Sequence, residues 1–336
     1  MKIYKVAIIG AGSIGANKPD RIDSPSTSNI LTHAHAVSIH QRTKIRAIID
    51  SNTEKALTAY KKWNEINDYN INLYDDFKFM TTQKQAFDIA IVATPTNIHY
   101  QMLMDLMNFS GSTLKLIIAE KPFCTDSNSS TKINDISKKN NIPISIDYIR
   151  RFTPGIIALK KAIDKQKVLN CRILYTRGMH DGCHAIDLMN YLFGKCISAQ
   201  RIKPINIIDR DINDPSISIA FNYEKCSNVI FQPCDGREYG IFEVDICCNK
   251  NRYRLIDNSL YIERYPVSEE NEWGHKSLNY NTTSVIRQET GLNMALYNLI
   301  DNAVKFLDGK EDLLCISEDA IKVHEIIEKI KENCII

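Results

Sequence analysis

The feature that most constrains the fold is a glycine turn directly after an apolar run. Residues 3–9 are Ile-Tyr-Lys-Val-Ala-Ile-Ile, and residues 10–15 are Gly-Ala-Gly-Ser-Ile-Gly. Such a run is typical of a strand buried on both faces of a parallel sheet. Gly-x-Gly-x-x-Gly after a strand lets backbone N–H groups approach a pyrophosphate, whereas a purely structural tight turn is the alternative. The residues expected to bind a dinucleotide here are Gly10, Gly12, Ser13, Ile14 and Gly15.

Apolar runs continue to alternate with helical patterns through the first half of the chain. The strand-like runs are 44–49, 87–93, 114–120 and 143–148. The helical patterns between them are 31–40, 53–67, 98–108 and 130–140. This alternation predicts a doubly wound parallel sheet, the Rossmann arrangement.

The second half changes to strand-length runs joined by short polar turns, which favours a mostly antiparallel sheet. The runs are 169–176, 197–208, 216–221, 228–232, 242–247 and 253–256, with helices at 182–193, 292–307 and 317–331. The predicted fold class is therefore α/β, an N-terminal Rossmann sheet followed by an α+β domain with an open sheet. We expect a dinucleotide-binding domain at 1–122 and a substrate-binding and oligomerisation domain at 123–336, with closing helices able to pack back on the first domain.

Composition limits the classes of partner. The 336 residues include 42 basic and 40 acidic side chains, without a long block of either sign. This balance favours a small-molecule partner over nucleic acid or membrane. The ten cysteines have irregular spacing, so neither a disulfide framework nor a zinc knuckle is predicted. Without a leader-like or membrane-spanning segment, we expect a soluble, cytoplasmic protein.

Asp50 ends the second predicted strand, where a carboxylate can bind the hydroxyls of a cofactor ribose. It follows Gly15 by 35 residues instead of about 20, and a polar insert at 17–29 accounts for most of the excess. Asp50 would repel a 2'-phosphate, and Ser51 adds no guanidinium, so NAD is predicted over NADP. The alternative is that Asp50 is a helix N-cap.

Two further strand ends bear polar residues. After the run 87–93, Thr94, Pro95, Asn97 and His99 are candidates to line the dinucleotide, with a plain first-turn helix residue as the alternative for His99. Glu120-Lys121-Pro122 closes the run 114–120. An amine there could take the proton of a substrate hydroxyl, provided that burial and the cofactor's positive ring favour its neutral form. A solvated loop lysine is the alternative.

The densest polar cluster lies at 178–187, Gly-Met-His-Asp-Gly-Cys-His-Ala-Ile-Asp. A helix beginning near Gly182 would place His184 and Asp187 on one face, with His180 close across the turn. His184 could then bind a substrate hydroxyl or relay its proton, with an acid fixing its tautomer. His180, His184 and an acid could hold a metal, but no metal is predicted because cysteine and histidine are not otherwise clustered. A capping or packed histidine is the alternative.

Together these motifs resemble the family of glucose-fructose oxidoreductase, inositol dehydrogenase and MocA-like proteins. The resemblance covers nearly the whole chain and implies hydride transfer between a nicotinamide and a sugar or cyclitol carbon. It implies Lys121 and His184 as a catalytic pair, with His180 where an aspartate is usual and Asp181 one position later. Further implied contacts are Glu120 to the cofactor, and Tyr148, Arg151, His180, Asp181 and His184 to the substrate.

The predicted function is an NAD-dependent oxidoreductase acting on a hydroxyl carbon of a sugar, nucleotide sugar or related polyhydroxylated compound. The insert also resembles members linked to bacterial surface-sugar pathways. A non-catalytic dinucleotide or sugar sensor is one alternative, because the usual aspartate is displaced. An epimerase with transient oxidation is another. The resemblance implies a homodimer or homotetramer formed through the C-terminal sheet.

Overall fold

The computed structural model describes residues 2–67, 70–77, 86–109, 113–281 and 283–332. Contacts divide the chain into two compact units. The first comprises residues 1–152 and 293–322, and the second comprises residues 153–292 and 323–336.

The first unit contains six parallel strands. They are β1 (Tyr4–Ile9), β2 (Thr43–Ile49), β3 (Asn72–Tyr74), β4 (Ile89–Val92), β5 (Leu116–Ala119) and β6 (Ile144–Ile146). Their order is β3-β2-β1-β4-β5-β6, which confirms the predicted doubly wound sheet. Side chains of β4 and β5 are buried throughout, as expected for strands covered on both faces. The strand order reverses between β1 and β4, where open α/β sheets bind ligands.

The helices with fully described bounds are α1 (His33–Ile39), α2 (Thr53–Trp63), α3 (Thr96–Met107), α4 (Ser127–Asn140), α5 (Pro154–Ile163), α6 (Gly178–Phe193), α7 (Ala295–Leu307) and α8 (Ser317–Lys331). The side chain of Asn52 caps α2 by accepting from the backbone N–H of Lys55. The sequence places a domain boundary at residue 122. By contacts, residues 123–152 group with the first unit, because β6 is paired with β5.

One buried carboxylate, that of Asp23, makes several of the contacts of the polar insert at 17–29. Asp23 is fully buried and accepts from the backbone N–H of Leu31 (2.9 Å) and the hydroxyl of Thr32 (2.7 Å). Its carboxylate also lies 2.8 Å from Nδ1 of His35 on α1. The ring of His35 stacks on Trp63 of α2, with centroids 5.1 Å apart. These contacts fix the insert against two helices, although its sequence alone predicts only a loop.

Asp23→Ala is expected to destabilise the protein by about 2–4 kcal/mol, because the change leaves buried donors without an acceptor. Urea unfolding measures the loss. Asp20→Ala is the matched control, since Asp20 is 84% exposed and pairs with Lys62 at 2.9 Å. Because the Asp20 carboxylate is largely solvated, losing this ion pair should cost only about 0–1 kcal/mol. Equal unfolding midpoints for the two variants would contradict an anchoring role for Asp23.

The second unit contains a sheet of eight strands. They are β7 (Val168–Tyr175), β8 (Cys196–Asp211), β9 (Asp214–Tyr223), β10 (Cys226–Pro233), β11 (Phe242–Cys248), β12 (Asn251–Ile256), β13 (Tyr261–Pro266) and β14 (Ile286–Glu289). The order is β14-β13-β12-β11-β7-β10-β9-β8. Among the described strands of this second sheet, only β7 and β10 pair in parallel. The predicted mostly antiparallel sheet is therefore confirmed.

Helix α6 begins earlier than its sequence predicts. The pattern suggested a start near Gly182, whereas the helix starts at Gly178. The backbone N–H of Gly178 donates to the hydroxyl of Ser216 (2.8 Å), and that of His180 donates to the carboxylate of Asp214 (2.9 Å). Both acceptors come from β9, so the first turn is satisfied by groups distant in sequence. Such a start cannot be read from local residues.

Candidate functional site

The glycine turn follows β1 at the carboxyl edge of the first sheet. Gly10 has a positive φ of 99°, and a Cβ there would lie 2.5 Å from the carbonyl oxygen of Ala93. A Cβ on Gly15 would overlap the carbonyl oxygen of Gly10. By contrast, a Cβ on Gly12 would meet no described protein atom within 4 Å. Gly10 and Gly15 are therefore required by packing, whereas Gly12 leaves open space where a ligand can approach the backbone.

Asp50 follows β2 on the same edge. Its carboxylate accepts from the backbone N–H of Ala11 (2.7 Å) and from that of Asn52 (2.8 Å). Asp50 thus fixes the glycine turn against the end of β2. Each carboxylate oxygen has a further lone pair, so contact with ribose hydroxyls remains compatible with these bonds.

A cavity of about 590 Å³ opens between these strand ends. The predicted residues that line it are Gly10, Gly12, Asp50, Ser51, Thr94 and Pro95. Lys55, Asp75 and Asp76 also line it and were not predicted, because Lys55 lies inside α2 and the two acids follow the short, unpredicted strand β3. Asp105 of α3 lines the cavity as well, so with Asp50 four carboxylates face one ammonium, which disfavours a 2'-phosphate. The cavity therefore suits a dinucleotide without that phosphate.

Asp50→Asn is expected to lower the ratio of the Kd for NADP⁺ to the Kd for NAD⁺ by about tenfold. Asparagine can still accept from the N–H of Ala11, but it no longer repels a 2'-phosphate. Calorimetric titration with both dinucleotides measures the ratio. Asp20→Asn, an acid outside the cavity lining, is the control. An unchanged ratio in Asp50→Asn would contradict the role given to this carboxylate.

The turn after β4 carries Thr94, whose hydroxyl is buried and has no hydrogen-bond partner in the part of the chain that the structure describes. Because an unsatisfied buried hydroxyl is costly, this atom is suited to a ligand at the cavity. Asn97 is exposed at the start of α3. His99 is fully buried, with Nε2 2.7 Å from the carbonyl oxygen of Thr94 and Nδ1 3.0 Å from that of Pro122. Cofactor contacts by Asn97 and His99 stay predictions.

Lys121 follows β5 and is half-buried, while Glu120 beside it is buried. The Glu120 carboxylate accepts from Nε2 of His33 at 2.8 Å. Asp147, which follows β6, has an oxygen 3.7 Å from the same nitrogen. The sequence indicates Glu120 and Lys121 as site residues. It does not indicate His33, because His33 begins α1 and no local sequence pattern identifies it as a partner of Glu120.

Tyr148 and Arg151 follow Asp147 in the first unit, and both side chains are buried. The Arg151 guanidinium donates to the carboxylate of Asp319 (3.0 Å) and to the carbonyl oxygen of Leu314 (3.2 Å). With these two hydrogen bonds, the guanidinium group of Arg151 donates to acceptors inside the first unit. Substrate contact by either residue stays a prediction.

The remaining candidates lie on α6 in the second unit. His180 and His184 are four residues apart and therefore share one helix face. Asp181 pairs with Arg177 at 3.4 Å, one turn earlier. All three candidates are half-buried. These three candidates therefore lie together in the second unit, whereas Lys121 belongs to the first unit.

Comparison with known proteins extends these observations. A family model described as oxidoreductase family, NAD-binding Rossmann fold, matches residues 4–148. An inositol 2-dehydrogenase from Corynebacterium glutamicum strain R is 24% identical over 229 residues, which cover 68% of this chain. The match covers 60% of the relative, so the chain spans less than two thirds of the length of that curated protein.

Two solved structures share the fold at low sequence identity. The WlbA dehydrogenase from Bordetella pertussis, solved with NADH and UDP-GlcNAcA, is 14% identical with a TM-score of 0.74, covering 99% of this chain and 95% of its own. A super-repressor mutant of Gal80p from Saccharomyces cerevisiae is also 14% identical with a TM-score of 0.74, covering 98% and 96%. None of the helices in the described ranges has the length and hydropathy needed to cross a membrane.

Proposed function

Since the chain belongs, through residues 4–148, to the Gfo/Idh/MocA oxidoreductase family, we propose that it is an NAD-dependent dehydrogenase. Its substrate would carry a secondary hydroxyl on a sugar-like carbon. One observation carries the proposal. The glycine turn, Thr94 and Lys121 follow the adjacent strands β1, β4 and β5, so all three lie at one edge of one parallel sheet.

Each group at that edge has a chemical role. Bound NAD supplies the hydride acceptor. Gly12 and the carboxylate of Asp50 hold the cofactor's pyrophosphate and ribose in position. Lys121 takes the proton of the substrate hydroxyl during oxidation and returns it during reduction. On the second unit, His184 is proposed as a substrate-binding acid or base, with Asp181 and His180 as accessory polar groups.

The substrate class follows from polar chemistry and from the relatives. Histidine and carboxylate side chains are suited to binding several neighbouring hydroxyls. The relatives' names point to the same class, since one is an inositol dehydrogenase and another was solved with a nucleotide sugar. We therefore propose a cyclitol, sugar or nucleotide sugar as substrate.

The test is NADH formation by the purified protein with cyclitols, sugars and nucleotide sugars, each assayed with NAD⁺ and with NADP⁺. Calorimetric titration with NADH is run on the same preparation. Turnover with NAD⁺ and at least one of these substrates is expected. Tight NADH binding without turnover on any panel member, in either direction, would overturn the enzymatic proposal.

A sensor is the second candidate function. It is favoured by His180, which stands where the family usually has an aspartate, and by a shared fold with a protein described as a repressor. A sensor requires NADH binding without turnover, which is the result that would contradict the enzymatic proposal. An epimerase would instead convert substrate while the amount of NADH stays constant.

Self-association and location stay predictions. Ile197 and Ile208 of β8 and Ile212, which follows β8, are 50%, 49% and 72% exposed, which supports pairing through the second sheet. The expected homodimer or homotetramer and a cytoplasmic location rest on the sequence.

A further inference from the structure

The side-chain amide of Asn17 joins the glycine turn to helix α2. Its Nδ2 donates to the carbonyl oxygen of Ala11 at 2.7 Å and to that of Lys55, in α2, at 2.8 Å. Asn17 is the first residue of the polar insert, and it is not among the residues that line the cavity. Its two hydrogen bonds therefore act on the backbone of the turn from outside the cavity.

The orientation of this amide is determined by its two acceptors. With the amide reversed, Oδ1 would face two backbone carbonyl oxygens and could bond to neither. As the amide stands, Oδ1 of Asn17 is buried and has no hydrogen-bond partner among the described residues. A buried acceptor without a donor costs free energy. Asparagine at this position is therefore explained by the two carbonyl groups that Nδ2 holds.

The bond to Ala11 fixes the peptide unit that carries the N–H of Gly12. In a planar trans peptide, the C=O and N–H groups point in opposite directions. Because Asn17 holds the carbonyl oxygen of Ala11, the N–H of Gly12 is directed away from Asn17. Gly12 lines the cavity, whereas Asn17 does not. This N–H is therefore directed to the side on which the pyrophosphate of a dinucleotide would bind.

The neighbouring peptide units of the turn are held as well. The carboxylate of Asp50 accepts from the N–H of Ala11 at 2.7 Å. The carbonyl oxygen of Gly12 accepts from the backbone N–H of Asn17 at 3.0 Å. By the same peptide geometry, the N–H of Ser13 points away from that donor. Three successive peptide units of the turn are thus held in place by protein groups.

The residues on either side of Asn17 are bound to α2 too. Nε1 of Trp63, a fully buried residue, donates to the carbonyl oxygen of Ala16 at 2.9 Å. Nζ of Lys62 donates to the carbonyl oxygen of Lys18 at 2.8 Å. Helix α2 therefore supports three consecutive residues after the turn, and the side chain of Asn17 carries that support to the turn itself.

We propose that Asn17 is a positioning residue of the cofactor site, which holds the N–H donors of Gly12 and Ser13 ready for the pyrophosphate of NAD. The inference rests on the proposed NAD-dependent function. Donors that are already in place lose less conformational freedom when the ligand binds, so the affinity for a pyrophosphate rises. In this role Asn17 acts through the backbone and makes no contact with the cofactor.

Asn17→Leu is the main test, because it removes the donor and keeps a side chain of similar size. Titration with NADH, ADP-ribose and adenosine separates the pyrophosphate from the rest of the cofactor, since adenosine lacks it. We expect the Kd for NADH and for ADP-ribose to rise by about tenfold, and the Kd for adenosine to change by less than about twofold. Asn17→Gln keeps the amide donor on a longer stem and should bind NADH more tightly than Asn17→Leu.

Asn67→Leu is the matched control. Asn67 is fully buried in the same unit, its Nδ2 donates to the carbonyl oxygen of Ile45 at 2.7 Å, and it lies outside the cavity lining. This change should lower stability without altering the ratio of the Kd for ADP-ribose to the Kd for adenosine. Should Asn17→Leu not fold, Asn17→Ala removes the same donor with a smaller side chain and should show the same selective loss.

An unchanged affinity for ADP-ribose in Asn17→Leu would overturn the inference, and so would an equal loss of affinity for adenosine. An equal change of the Kd ratio in Asn67→Leu would show that Asn17 has only a structural role. Failure of the enzymatic proposal is a different result, because the parent protein would then bind NADH and turn over no substrate while the selective loss in Asn17→Leu remained. A parent protein that binds no dinucleotide would contradict both proposals.

Discussion

Lys121→Met is expected to lower kcat by about 10²–10⁴-fold, the usual contribution of a positioned acid or base, while NADH affinity stays within about twofold. Methionine retains an apolar stem of similar length but cannot accept or donate the proton. The cofactor cavity is lined by residues of the glycine turn and of the β2 and β4 ends, so its shape should survive the change. Initial rates of NADH formation and calorimetric titration with NADH measure the two quantities.

Lys115→Met is the matched control for this change. Lys115 precedes β5 at the opposite edge of the same sheet, and its ammonium pairs with Asp88 at 2.7 Å. Its loss should leave kcat unchanged and alter stability by about 1 kcal/mol or less. Parent-like turnover in Lys121→Met would remove this lysine from the reaction.

Gly12→Ala and Gly15→Ala are expected to fail in different ways. At position 12 the added methyl group meets no described protein atom within 4 Å, so folding should be unaffected. The methyl group would nevertheless occupy the space that the pyrophosphate needs, and NADH affinity should fall by about 10- to 100-fold. At position 15 the methyl group overlaps the carbonyl oxygen of Gly10, so we expect a loss of at least about 3 kcal/mol of stability.

Thermal unfolding and NADH titration of both variants provide the comparison. Gly240→Ala is the control, because its added methyl group also meets no described atom within 4 Å and Gly240 lies outside the cavity lining. Parent-like NADH affinity in Gly12→Ala would show that the turn does not hold the pyrophosphate. Parent-like stability in Gly15→Ala would contradict the packing argument.

The first sheet could be predicted because its information is local. Apolar runs indicate β1, β4 and β5, and the glycine or polar residues that follow each run indicate where the strand ends. Parallel topology then brings those ends to one edge whatever the loops contain. The glycine turn, Asp50 and Thr94 could therefore be assigned to one ligand cavity without coordinates.

What the sequence did not reveal depends on partners distant in the chain. His33 and Asp147 can be recognised as neighbours of Glu120 only once α1 and β6 are seen to pack beside it. The hydrogen bond between Arg151 and Asp319 is likewise a contact that no spacing rule predicts. The early start of α6 has the same origin, since its first backbone donors are satisfied from β9.

The buried ring of His99 links the loop after β4 to the loop after β5. One nitrogen faces the carbonyl of Thr94 and the other faces that of Pro122, so a single rigid imidazole spans two neighbouring loops. Neither loop can shift by much without stretching or compressing a contact to the other. The imidazole ring of His99 thereby sets the distance between Thr94 in the wall of the cavity and the backbone that follows Lys121. The ring itself is fully buried and is not among the residues that line the cavity.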